Sequence, residues 1–278
     1  MEIDRKAFLD SLGGAEGVKR MDDEARADAL EHRMLSELND ALEAKKAGEA
    51  KPGKKYPTVA EVEAQIETRS YRAGAGFLIV PRSGGNVKKL PPMPANPTLQ
   101  DYFKLRFTDT ANHVLQSANL AMKNGMSEEI ILACLLHDVV QEIMRTDHGW
   151  WGAQMFEPYV SEKVTFAIRY HQALRYYADP SVGYEYPELY RELFGADYVP
   201  PPYIEATYQM VRKHKWYMEP RMVAVNDLYA FDPTVVVTMD PFLDILGRHF
   251  KQPKQGLGND GSAVAHMWRT ISRPDQPL

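Results

Sequence analysis

The stretch Leu135-Leu136-His137-Asp138-Val139-Val140 decides how this sequence is interpreted. It places an imidazole and a carboxylate side by side inside an apolar run of the kind that forms a buried helix. An ionisable pair in such a setting needs a partner or a metal ion, because a buried charge without compensation is costly. His137 and Asp138 are therefore the first candidates for a functional site.

Four more histidine and aspartate side chains occur on successive predicted helices. His113 precedes the pair, on a helix that a short connection through Gly125 would pack antiparallel against the next one. His148 and His171 follow. Asp227 then lies mid-helix among apolar residues, where a lone carboxylate would be hard to keep ionised. Taken with the central pair, these four side chains predict a site for two metal ions.

The donor set limits the metals that such a site would take. Neutral imidazole and carboxylate together suit iron, manganese, zinc and cobalt. Asp138 follows His137 directly on the predicted helix, so one residue can serve one ion while its neighbour leans toward a second and bridges the two. An isolated histidine is more often a hydrogen-bonded core or surface residue, and the remaining four are interpreted in that way: His32, His214, His249 and His266.

Composition narrows the classes of function. The 278 residues, 44% hydrophobic and 26% charged, are typical of a globular protein that can bury a core. A net charge of −5 without long runs of like charge does not favour nucleic-acid binding. The single cysteine, Cys134, cannot form an intrachain disulfide. Since the N-terminus lacks an apolar signal segment and no apolar run approaches ~20 residues, we expect a cytoplasmic protein without a membrane span.

Hydrophobic periodicity predicts an all-α fold in three parts. We expect an N-terminal extension over residues 1–98, a metal-binding helical domain over 99–250 and a C-terminal tail over 251–278. The extension is predicted to hold helices, one of them over 59–68, and a small β-hairpin over 76–90. The proline-rich segment 91–97 marks the boundary. In the domain, one central buried helix is expected over 130–144.

The order of His113, the His137-Asp138 pair and Asp227 resembles the H…HD…D signature of HD-domain metalloproteins, which are all-helical. The two later histidines make the pattern similar to the mixed-valent diiron oxygenases of that superfamily. These include myo-inositol oxygenase and the organophosphonate-cleaving dioxygenases. The phrase His113-Val114-Leu115-Gln116-Ser117-Ala118-Asn119-Leu120-Ala121 looks like the first ligand helix of the phosphonate branch. The resemblance covers residues 100–232.

The resemblance implies a cofactor of two irons in a mixed-valent Fe(II)/Fe(III) pair, with manganese, cobalt or zinc as the alternative. It implies an O2-dependent oxygenase that removes hydrogen from a small anionic or polyhydroxylated substrate, such as an organophosphonate, and then cleaves or oxygenates it. Arg175, one helical turn after His171, matches a basic residue that helps hold the phosphonate in that branch. Tyr102 matches a tyrosine that closes over the substrate. Arg221 is a second candidate for binding the anion.

The sequence departs from that pattern in two places. The segment Asp101-Tyr102-Phe103-Lys104-Leu105-Arg106 lacks the glutamate that accompanies the tyrosine, and Gln141 stands in the neighbourhood where many relatives carry a lysine. A metal-dependent phosphohydrolase of the same superfamily, such as a nucleotidase, is kept as the alternative, with Glu142 and Asp147 positioning a water or a second metal. A degenerate, non-catalytic HD module that binds a ligand or partner through the N-terminal extension is a third interpretation, which the complete set of six ligand positions disfavours.

Overall fold

The computed structural model describes residues 12–21, 23–47, 90–188, 190–191 and 197–274, together with Lys6 and Asp10. Within these residues the chain is helical, and the β-type pairing is limited to an isolated antiparallel bridge between Asp179 and Tyr184. The all-α class is confirmed for this part of the chain. The α-helices are α1 Gly14–Arg20, α2 Asp23–Ala47, α3 Leu99–Leu105, α4 Ala111–Lys123, α5 Glu128–Leu136, α6 His148–Phe156, α7 Glu162–Leu174, α8 Pro202–Val211, α9 Met218–Leu228, α10 Leu243–His249 and α11 Ala265–Ser272.

Short 3-10 helices at Val139–Glu142, Pro180–Val182 and Asp240–Phe242 complete the described elements. The helix predicted over 59–68 and the hairpin predicted over 76–90 lie outside the described residues, apart from Leu90. Those two expectations, the HD-domain assignment and the division into three parts remain predictions.

Helices begin where the sequence provides side-chain caps. Ser127 and Ser161 each accept a hydrogen bond from the backbone N–H three residues on, at the starts of α5 and α7. Thr98 and Asp101 form a reciprocal capping box at the start of α3. These local contacts satisfy amide groups that a helix leaves without partners at its first turn. They set the ends of the helices that carry or surround the candidate ligands.

Helix α5 lies at the centre of the bundle. Its residues from Ile131 to Leu136 are all buried, and it packs against α4, α7, α9 and α10. A helix that is apolar on every face is expected in such a position. Helix α7 in turn packs against α6, α8 and α9. Each helix that carries a candidate histidine or aspartate therefore packs against at least one other such helix.

The central helix is shorter than predicted. We expected one helix over 130–144, but α5 ends at Leu136 and a separate 3-10 helix begins at Val139. Asp138 has φ −109° and ψ −3°, which is outside regular α-helical geometry. In a continuous helix, consecutive side chains diverge by ~100°. Because α5 ends at this pair, the side chains of His137 and Asp138 approach one another and face the same interior point.

Helix α2 packs on the ligand-bearing part of the chain. Its residues Leu35, Leu38 and Leu42 form a buried cluster with Phe231, which follows α9. The helix also contacts α4. A segment that the sequence placed in a separate extension thus covers one side of the helical bundle.

The C-terminal residues pack into the same core. Trp268 and Ile271 of α11 are fully buried within the main hydrophobic cluster. The Tyr102 hydroxyl donates to the carbonyl oxygens of Leu257 and Trp268, at 3.3 Å and 3.0 Å. Tyr102 therefore joins α3 to the C-terminal residues, and its expected contact with the substrate remains a prediction. Among the described residues, no helix combines the length and apolar character that a membrane crossing requires.

Candidate metal centre

The structure brings all six predicted ligands to one buried point. They come from α4, the end of α5, α6, α7 and α9. Their ligand atoms form two groups, and within each group all of the atoms lie within 4.8 Å of one another. The groups are, first, His113, His137, Asp138 and Asp227 and, second, Asp138, His148 and His171. We call these the first and the second ligand group.

Asp138 belongs to both groups. Its Oδ2 lies 3.3 Å from Nε2 of His113, and its Oδ1 lies 3.3 Å from Nε2 of His137. The same Oδ1 lies 3.0 Å from Nε2 of His148 and 3.4 Å from Nε2 of His171. Two ligand atoms that are each about 2.1 Å from one ion lie about 3 Å apart. The carboxylate of Asp138 is therefore within reach of the imidazoles of both groups.

Asp227 completes the first group from the far side. Its Oδ1 lies 3.0 Å from Nε2 of His113 and 3.7 Å from Nε2 of His137. It reaches this point because α9 packs against both α4 and α5. Asp227 lies among apolar residues of its helix, where a carboxylate charge alone would be costly. The imidazoles of His113 and His137 compensate for this charge.

The other ring nitrogen of each imidazole faces a backbone carbonyl. Nδ1 of His137, His148 and His171 lies 2.8, 2.9 and 2.7 Å from the carbonyl oxygen three residues earlier. Nδ1 of His113 lies 3.1 Å from the carbonyl oxygen of Ala230. An Nδ1–H that donates to a carbonyl leaves the Nε2 lone pair pointing inward, which is the usual arrangement of a metal-binding histidine.

The residues present fit a bound metal. The buried Nε2 atoms of His113 and His137, both carboxylate oxygens of Asp138 and Oδ1 of Asp227 have no hydrogen-bond partner. Buried polar atoms in native proteins are nearly always paired. With Nδ1 as the donor, each Nε2 is an acceptor that faces further acceptors. A cation between these atoms would satisfy all of them at once.

The electrostatics of the centre favour positive charge. Burial disfavours a charged imidazole, yet Asp138 and Asp227 raise the pKa of His113 to about 9 and that of His137 well above its usual range. Burial likewise opposes ionisation of the two carboxyl groups, but the neighbouring histidines hold the pKa of both below the usual value. His171 differs, because burial lowers its pKa to about 4. Metal ions would compete with protons for the first ligand group.

A glycine allows α6 and α7 to approach each other. Nε2 of His148 lies 3.3 Å from Nε2 of His171, and the backbone N–H of Gly149 donates to Oε1 of Gln172 at 2.7 Å. A Cβ atom at Gly149 would lie 2.8 Å from the carbonyl oxygen of Ile168 and 3.0 Å from Cε1 of His171. A residue without a side chain is therefore required where the second ligand group is assembled.

Glu31 reaches the second ligand group, although the sequence analysis did not select it. Its carboxylate forms a buried ion pair with Arg175, accepts a hydrogen bond from Nε2 of Gln141 at 3.0 Å and lies 3.9 Å from Nε2 of His148. Burial raises the pKa of Glu31 to about 7, against the opposing effect of Arg175. Helix α2 is rich in acidic residues, so no local signal distinguished this one.

Arg221 is engaged by the protein on two sides. Its Nη1 donates to the carbonyl oxygen of Leu174 at 2.9 Å, and its Nε donates to the hydroxyl of Tyr217 at 3.1 Å. Asp179 lies 3.6 Å from the same Nε. The buried Nη2 atom has no hydrogen-bond partner. Arg221 joins α9 to the end of α7, and its expected contact with an anionic substrate remains a prediction.

The two acidic residues of the hydrolytic alternative occupy different settings. The carboxylate of Glu142 accepts hydrogen bonds from the backbone N–H groups of Asp109 and Thr110, immediately before α4. Asp147 precedes α6 in a left-handed conformation with φ 54° and makes no side-chain cap. Glu142 is thus engaged in a helix cap, a role that its sequence context did not indicate.

Comparison with known proteins gives a partial match. No family model matches this chain. One stretch is 33% identical over 78 residues to a curated protein, covering 24% of this chain and 40% of that relative. The relative is a phosphonate dioxygenase. Its full description is 1-hydroxy-2-(trimethylamino)ethylphosphonate dioxygenase (glycine-betaine-forming), from Leisingera caerulea.

The chain spans less than half of the length of that relative. The similarity to this oxygenase is therefore limited to a part of the chain. It agrees with the buried histidine and aspartate groups, which are suited to metal ions.

Proposed function

We propose that this protein is an O2-dependent diiron oxygenase that acts on a small anionic substrate of the organophosphonate class. The observation that carries the proposal is the position of Asp138, whose carboxylate faces two separate sets of buried imidazoles. That geometry supports a site for two metal ions with a shared carboxylate. The partial similarity to a phosphonate dioxygenase favours oxidation over hydrolysis.

Each ligand group would hold one iron, with Asp138 between the two. Irons bound there would supply the activation of O2 for removing hydrogen from a substrate C–H bond. Manganese, cobalt or zinc is the alternative that the donor set allows. Six protein ligands cannot complete two six-coordinate ions, so positions remain for the substrate and O2.

The charge of the centre favours an anionic substrate. Two carboxylates cannot neutralise two iron cations, and an anionic ligand reduces the surplus. Arg175 is buried beside the second ligand group and already holds the carboxylate of Glu31. Its guanidinium can bind two oxygens of a phosphonate or carboxylate at once. We infer that the anionic group of the substrate binds on this side of the centre.

A phosphohydrolase is the alternative. In that scheme Glu142 would position a water or a second metal, but its carboxylate is used by the amides before α4. Both oxygenation and phosphate hydrolysis are compatible with the geometry of the two ligand groups. The redox behaviour of the bound metal distinguishes the two reactions.

Protein loaded with Fe(II) in the absence of O2 tests the proposal. We expect about two irons per chain and, after partial oxidation, the half-integer-spin EPR signal of a coupled Fe(II)/Fe(III) pair. O2 uptake is then measured with hydroxyphosphonates, polyols and amino acids, and zinc-loaded protein serves as the control. One non-iron metal per chain, combined with phosphate release from nucleotides, would contradict the proposal and favour the hydrolase.

A further inference from the structure

We propose that Glu142 is a positioning residue of the metal centre, which fixes the start of α4 and thereby the place of His113. The inference rests on the metal centre of the proposed function. It does not depend on which metal is bound or on which substrate is oxidised. Glu142 acts through the helix that carries His113.

Glu142 holds the two residues immediately before α4. Its Oε1 accepts from the backbone N–H groups of Asp109 at 2.8 Å and Thr110 at 2.9 Å, and it lies 3.4 Å from the Thr110 hydroxyl. Thr110 is the N-cap residue of α4 but makes no side-chain cap of its own. A carboxylate at a helix N-terminus is also favoured by the helix dipole. The start of α4 is thus held by a buried group from another part of the chain.

His113 lies close to this point, in the first turn of α4. Its ring is fixed on one side by the contact of Nδ1 with Ala230 and on the other by stacking on Phe231, at 4.2 Å between ring centroids. The Nε2 atom can approach Asp138 and Asp227 only if the first turn of the helix has its present position. A displaced helix start would move this ligand relative to the others.

Glu142 lies only four residues after Asp138, so its contact with the start of α4 connects two parts of the candidate metal centre. It ends the 3-10 helix that follows the His137-Asp138 pair. A single short segment therefore holds two ligands directly and the His113 helix through Glu142. From the opposite side, Asn39 of α2 donates to the carbonyl oxygen of Asp109 at 2.6 Å. The contact between Glu142 and the residues before α4 thus links the position of His113 to the positions of His137 and Asp138.

Metal affinity measured with Co(II) tests the inference. Metal-free Glu142→Ala and wild-type protein are titrated with Co(II) in competition with a chelator, and the affinity for each of the two ions is determined. We expect one of the two affinities to fall about 10–100-fold, as for other groups that orient metal ligands. The Co(II) absorption bands of that site should also change, because the angle of one imidazole changes.

Asp101→Ala is the matched control. Asp101 also caps a helix with its carboxylate, but α3 carries no candidate ligand. Both variants are expected to lower the Tm by about 2–4 °C, in line with the loss of one helix cap. Only Glu142→Ala should weaken Co(II) binding. Equal losses of affinity in the two variants would show a general effect of stability and overturn the inference.

Conservative variants keep the inference testable if Glu142→Ala does not fold. Glu142→Gln retains an acceptor oxygen in the same place and should bind both ions within about threefold of wild type. Glu142→Asp retains the charge but is one methylene too short, and should lose about tenfold in one affinity. Wild-type affinities in Glu142→Asp would overturn the inference. Wild-type protein that binds two metals but takes up no O2 would refute the proposed function and leave these affinity differences unchanged.

Discussion

The carboxylate of Glu31 pairs with the guanidinium of Arg175, which lies 144 positions further along the chain. Both side chains are buried. Arg175 follows the candidate ligand His171 by one helical turn, so the pair joins α2 to the second ligand group. A helix that sequence analysis assigned to a separate extension therefore contributes a charged group to the centre.

Arg175→Ala is expected to weaken the binding of an anionic substrate. The loss of a charge-assisted, two-oxygen contact should raise KM about 10–100-fold, while the metal content remains at the wild-type level. Steady-state O2 uptake and metal analysis give the two quantities. Arg212→Ala, which removes an exposed arginine of the same protein, is the control for general charge effects. An unchanged KM would place the anion contact elsewhere.

Gly149→Ala is expected to separate α6 from α7. The new Cβ would lie within 3.0 Å of backbone and side-chain atoms of α7, so overpacking should cost about 1–3 kcal/mol of unfolding free energy. The second ligand group should lose metal affinity as well. In Gly247→Ala the Cβ would meet open space within α10, and that variant should be neutral or gain up to about 1 kcal/mol. Chemical denaturation and metal analysis check both expectations, and wild-type behaviour of Gly149→Ala would contradict them.

His171→Ala is expected to lose one metal ion and keep its helices. The second ligand group would retain Asp138 and His148, which are too few ligands to hold an ion tightly. The first group, which does not include His171, should remain occupied. Metal analysis is compared with the far-UV circular dichroism of the same sample, and His266→Ala, on an exposed histidine, is the control. Retention of two ions per chain would show that His171 is not a ligand.

Metal affinity is expected to fall as the pH decreases below about 9, the value to which the carboxylates raise the pKa of His113. Below this pKa the metal-free imidazole holds a proton that the ion must displace, and above it the competition ends. Each displaced proton lowers the apparent affinity about tenfold per pH unit. Asp138 and Asp227 have lowered pKa values and stay ionised, so they contribute no proton at neutral pH.

Calorimetric titration at pH 7 in two buffers with different protonation enthalpies measures the number of protons released. We expect at least one proton per bound pair of ions. Equal apparent enthalpies in the two buffers would mean that no proton is released, which contradicts the charge state proposed for the metal-free centre.

Local sequence features were sufficient for the helical class and for the candidate ligands. Helix caps such as Ser127 and Ser161 act within one turn, so their effect can be predicted without knowing the fold. The ligand types are informative for a similar reason. A buried pair such as His137 and Asp138 needs compensation wherever it lies in the structure.

Other features depended on contacts between distant residues. The end of α5 at Leu136 was missed, because the apolar pattern continues beyond it and periodicity alone does not show where the backbone departs from a helix. The hydrogen bonds from the Tyr102 hydroxyl to the C-terminal residues could not be predicted from the sequence either. The residues next to Leu136 and Tyr102 in the sequence do not indicate these tertiary contacts.

The sequence by itself determined which side chains are available for a metal centre and the order in which the helices present them. The tertiary structure decided that Asp138 lies between the two ligand groups, that Glu31 meets Arg175 and that Glu142 holds the start of the His113 helix. The physical reason is the range of the interactions. Propensity and burial act locally along the chain, whereas bridging, ion pairing and capping across helices depend on how those helices pack.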